Sequence, residues 1–279
     1  MNLTKSQATE AGPPTEVPAP LTADIVAGLP PLVVALGYLA AITLAELLTT
    51  LTEPRFGLAL HSMILIMLVL HAALTWDRPI HGLLVTLTFA PLIRLVSYSL
   101  PLFPFPLVDW YLITSIPLFV AAWLTARLLG LSRDTLGINL RRLPLQGLIA
   151  LTGLSFGYIE YRILQPKALA AAFTWQDILA PALILLISTG FFEELVFRGL
   201  MQTTARQVLP RFGLLYVALV FAALHIGYKS PLDVLFVFGV GLFFGWATLR
   251  TGSILGVSLA HGLTNIVLFL VMPFLAAAS

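Results

Sequence analysis

Apolar stretches of about 20 residues, separated by short polar punctuation, recur along almost the whole chain. A bilayer core of about 30 Å takes about 20 residues of α-helix to cross, so each stretch has the length of a membrane span. Composition agrees. Hydrophobic residues make up 59% of the 279 and charged residues only 10%, with a mean hydropathy of +0.97, whereas soluble domains are roughly a quarter charged. The fold expected is all-α, a polytopic transmembrane helical bundle.

Helices are expected near 31–50, 57–76, 81–100, 107–130, 146–164, 177–206, 211–226, 232–249 and 253–275. That is nine. The number falls to eight if the region 81–106, interrupted by Pro101, Pro104 and Pro106, dips into the membrane and returns. Residues 1–24, rich in Pro, Thr, Glu and Ala, read as a disordered tail, not a cleaved signal. Helices within 25–176 carry no recognised motif, and 177–279 hold the chemistry.

Loop charges set the expected orientation. Lys5, Arg78, Arg127, Arg133, Arg141, Arg142, Arg206, Arg211 and Arg250 fall on one side, against Arg55, Arg162, Lys167 and Lys229 on the other, which puts the N-terminus in the cytoplasm. The expected location is a prokaryotic plasma membrane, with lipid as the surrounding partner. There is no cysteine, so disulfides and thiolate chemistry are excluded. A net charge of +2 without a basic stripe gives no reason to expect a nucleic-acid partner. Gly153 with Gly157, and Gly241 with Gly245, have the spacing that lets membrane helices approach closely.

The exceptions to apolarity carry the functional argument. Glu193, Glu194 and Arg198 lie within six residues of one apolar helix, where each charge costs about 3 kcal/mol at the bilayer centre unless it pairs or lines a cavity. Glu194 and Arg198 are one turn apart and can pair, and Glu193 projects about 100° away without that partner. His225 closes a second helix, and His261 and Asn265 share a face of a third. At about 1.5 Å per residue, Glu193 lies roughly 20 Å before Arg206, His225 roughly 21 Å after Arg211, and His261 roughly 16 Å after Arg250. Three helices running alternately up and down thus bring their polar groups to a similar depth. A carboxylate beside an imidazole can activate water for attack on a carbonyl, and a second imidazole with a carboxamide supplies donors to the oxyanion.

Glu193-Glu194-x-x-x-Arg198, Phe221-x-x-x-His225 and His261-x-x-x-Asn265, in that order on successive helices, resemble the three signature motifs of the CPBP family of CAAX proteases and bacteriocin-processing enzymes. Gly245-Trp246 through Arg250-Thr251-Gly252-Ser253 is also similar to the family's approach to its third motif. The resemblance covers about residues 177–270. It implies an intramembrane endopeptidase of the type II CAAX prenyl kind, acting on a membrane-associated or lipidated protein or peptide. Glu193 and His225 would activate the water, His261 and Asn265 would stabilise the oxyanion, and Glu194, Arg198 and Phe221 would support them. Metal dependence stays open at this point: Glu193, His225 and His261 form a set that suits zinc with a water as fourth ligand.

Two other functions compete. A proton-coupled transporter could relay protons through Glu193, His225 and His261, although no duplicated halves are visible. A non-catalytic peptide-binding or bacteriocin-immunity protein could use the same cavity. Other protease signatures fail. Gly153-Leu154-Ser155-Phe156-Gly157 has the letters of a serine nucleophile motif but lies inside an apolar helix, there is no His-Glu-x-x-His, and Gly239-Val240-Gly241 is followed by Leu242 instead of an aspartate. Glu46, Arg94, Glu160 and Arg162 are expected to pair or snorkel, and His61, His71 and His81 to mark interfaces near helix ends.

Overall fold

A computed structural model describes residues 28–99 and 106–278. The expected tail, 1–24, and Pro101 and Pro104 therefore lie outside the described residues. Among the described residues there are nine helices and no strand. In chain order they are α1 (Pro31–Leu51), α2 (Pro54–Leu74), α3 (His81–Tyr98, in two pieces that meet at Thr88), α4 (Leu107–Leu128) and α5 (Leu143–Leu164). They continue with α6 (Trp175–Val208), α7 (Gly213–Ala223), α8 (Pro231–Thr251) and α9 (Leu255–Ala278). The region 81–99 is a helix of its own, which makes nine helices over the described residues.

Seven of these helices are long and apolar enough to cross a membrane. The other two are α5, whose apolar run is broken by Gln146, Glu160 and Arg162, and α7, which is short. The chain is a multi-pass membrane protein. Its outer surface fits that solvent, because Leu36, Leu44, Ile66, Val69, Val120 and Leu154 are all exposed. Only a third of the α1 span is buried inside the bundle although the helix is apolar on every face.

Local chemistry sets the helix ends. Pro31, Pro54 and Pro231 open α1, α2 and α8, where a missing N–H loses no hydrogen bond. Thr174 and Ser230 cap α6 and α8 by accepting from the backbone N–H of Asp177 and Asp233. Gly252, at φ 70, ends α8 in a left-handed turn that other residues avoid.

One hydrophobic core draws on residues from Val34 to Ala260. The helix α9 sits between α5 and α6, and glycines permit the approach. A Cβ on Gly153 or Gly157 of α5 would run into the α9 backbone at Ala260 or Thr264, and one on Gly190 of α6 would meet Gly262. Ser155, between the α5 glycines, faces outward and is exposed. Early helices join the same body: α1 packs on α7 and α3 on α6.

Candidate active site

Two wide-turned π-helical stretches, Leu185–Phe191 and Leu195–Met201, flank Glu193 and Glu194 on α6. Such turns shift the register of a helix by a residue and recur at functional sites. Within this distorted segment Glu194 is wholly buried. Its Oε1 accepts from Arg198 Nη1 at 2.8 Å and from His261 Nδ1 at 2.9 Å. The pair expected one turn apart is formed, and a histidine from α9 joins it.

Glu193 faces the other way. Its side chain keeps 27% exposure, and Oε2 stands 4.0 Å from His261 Nε2, beyond direct hydrogen-bond reach. The His261 ring therefore spans the two glutamates, bonded to one and facing the other.

The short helix α7 ends at Ala223, and His225 begins the turn that follows. Its Nδ1 donates to the Phe221 carbonyl at 2.8 Å. A carbonyl oxygen only accepts, so a proton sits on Nδ1 and the ring turns Nε2 elsewhere. Phe221 is the aromatic floor beneath these groups. The Arg198 guanidinium lies 4.5 Å from its ring centroid, His225 lies tilted against it at 4.7 Å, and His261 meets it edge-on at 6.0 Å. On α9, one turn beyond His261, Asn265 Nδ2 donates to Thr189 Oγ1 at 2.8 Å, which fixes the carboxamide against α6.

Glu193, His225, His261 and Asn265 line one cavity of about 60 Å³, room for a few waters. Glu160, Thr189, Tyr111 and Tyr228 complete its polar wall. A larger cavity of about 330 Å³, lined by Arg94, Tyr98 and Trp110, shares Tyr111, Glu193, Phe221, His225 and Tyr228 with the first. The four residues singled out from the sequence thus meet in space.

Of the other polar residues, Arg94 pairs with Glu46, Arg162 is exposed, and His71 and His81 lie near helix ends, all as expected, whereas Glu160 and His61 depart from expectation. Glu160 opens on the smaller cavity and Arg94 on the larger. His61 is not at a helix end but wholly buried within α2, its Nε2 3.2 Å from Glu46 Oε1. His71 bonds the Tyr38 hydroxyl at 3.1 Å, and His81 the Ala72 carbonyl at 2.8 Å. Thr189 and Tyr228 had a signal in the sequence, since they lie four residues before Glu193 and three after His225. Tyr111 had none, because it reaches the cavity from a distant helix.

The zinc set fails a geometric test. Among the described residues no three His, Asp or Glu side chains converge as a metal site.

Fold and site together define a polytopic helical membrane protein with a carboxylate, two imidazoles and a carboxamide enclosed in one cavity. Residues 174–267, which contain all of these groups, match the family described as Type II CAAX prenyl endopeptidase Rce1-like. That family is one of proteases, and the match spans about a third of the chain. No curated protein and no solved structure matched the chain.

Proposed function

We propose that this protein is an intramembrane endopeptidase that hydrolyses a peptide bond of a membrane-associated substrate, one of CAAX type carrying a prenylated cysteine. The observation that carries the reading is the shared cavity of Glu193, His225, His261 and Asn265, reached from three helices. Glu193, free of a hydrogen bond among the described residues, takes a proton from water as the water oxygen attacks the scissile carbonyl. His225 holds that water through its Nε2 lone pair. The oxyanion of the tetrahedral intermediate accepts from Asn265 Nδ2 and from Nε2–H of a His261 imidazolium, whose Nδ1–H stays bonded to the Glu194 carboxylate. Glu193 then returns the proton to the leaving amine, and the peptide C–N bond breaks. Glu194 and Arg198 keep the His261 ring in place.

The reading uses glutamate and no metal, because the donors do not converge on one point. It puts the N-terminus in the cytoplasm, following the loop charges. Residues 177–279 supply the reacting groups, and helices within 25–176 enclose them.

Purified protein in detergent should cleave a farnesylated CAAX peptide, and Glu193→Ala and His225→Ala should each abolish cleavage. Full activity in both variants would overturn the proposal.

A further inference from the structure

Arg94 on α3 lies outside the matched segment, and its surroundings tie it to His225. An arginine inside the bilayer is retained mainly where its charge is paired. Here Nε donates to Glu46 Oε1 of α1 at 2.7 Å, and Glu46 is wholly buried with His61 of α2 against the same oxygen. A salt bridge would need no more. Yet Nη2 of the same guanidinium donates to the Leu224 carbonyl at 2.6 Å, across 130 residues of sequence.

That carbonyl belongs to the residue that caps the C-terminus of α7, where helical carbonyls run out of backbone donors. It also belongs to the same planar peptide group as the His225 N–H. Gripping the Leu224 oxygen therefore fixes the plane from which His225 departs, while the Phe221 carbonyl fixes its ring. The two bonds hold backbone and side chain of one residue. Arginine suits the task because its rigid fork serves Glu46 and the carbonyl at once, which a lysine ammonium does with difficulty.

We propose that Arg94, anchored by Glu46, is a positioning residue that holds His225 in its reactive orientation. The inference rests on the reading of His225 as the group that binds the hydrolytic water. It assigns the N-terminal helices a part in the chemistry: Glu46 of α1 neutralises the cation that α3 presents to the end of α7.

The test uses full-length protein in lipid nanodiscs. Arg94→Met alone strands a buried Glu46, so the informative variant is Glu46→Gln with Arg94→Met, which removes both charges, and Arg94→Lys serves as the partial rescue. With a farnesylated CAAX peptide, kcat should fall about 10²-fold in the double variant at a KM within about twofold, with Arg94→Lys between it and wild type. A second measurement does not need activity. Imidazole 15N resonances of His225, assigned by their loss in His225→Gln, should show the Nδ1–H tautomer in wild type and a tautomer mixture in the double variant. Wild-type kcat in the double variant, or an unchanged His225 spectrum, overturns the positioning role. If wild type leaves the peptide intact, as Glu193→Gln does, the proposed peptidase function fails, and the nitrogen spectrum alone still decides whether Arg94 orients His225.

Discussion

Glu193 and Glu194 are adjacent in the chain and opposite in circumstance. Glu194 is sealed from solvent and holds Arg198 and His261, whereas Glu193 opens on the cavity without a direct hydrogen bond among the described residues. Their variants should part accordingly. Glu193→Gln should lose about 10²–10⁴-fold in kcat for the farnesylated peptide while its thermal midpoint in detergent stays at the wild-type value. Glu194→Ala leaves the buried Arg198 unpaired and should cost about 3–5 kcal/mol, seen as a lowered midpoint and poor recovery of folded protein. Asn265→Ala removes one oxyanion donor and should lower kcat about 10²–10³-fold with little change in KM. Equal loss of stability in the two glutamate variants would contradict this division.

At the level of elements, the site depends on how closely α9 lies to α5 and α6. Gly157 has no room for a side chain, since a Cβ would strike the Thr264 carbonyl and Val267. Gly157→Val should therefore destabilise by about 1–3 kcal/mol and lower activity, because α9 carries His261 and Asn265. Gly147, on the same helix, meets nothing within 4 Å of a built Cβ. There Gly147→Ala should stabilise by about 0.5–1 kcal/mol through helix propensity alone. Thermal melts of the two variants side by side check both. The π-helical turns on either side of Glu193 and Glu194 belong to this scale as well: they shift the register of α6 on both flanks of the two carboxylates.

For the whole molecule, the arrangement of donors bears on the class of chemistry. Chelator treatment should leave peptide cleavage unchanged, since no metal-binding group of three side chains exists among the described residues. A rate restored only by added zinc would show that Glu193 acts as a ligand. Reporter fusions to the N-terminus should be active only as cytoplasmic markers, following the loop-charge asymmetry.

Helix number and placement could be read from the sequence because in lipid each span must satisfy its own backbone, so twenty apolar residues carry their structure within themselves. The residues Glu193, Glu194, Arg198, His225, His261 and Asn265 stood out for a related reason: polarity is rare where it is expensive. Pairing was legible only where it was local, as in Glu194 with Arg198 one turn apart. That His261 bridges to Glu194, that Thr189 steadies Asn265, and that Arg94 reaches Leu224 between Glu46 and His225 were decided by the tertiary structure. Such contacts join residues from 67 to 130 positions apart, and nothing in the period of a helix says which face of a distant helix will meet it.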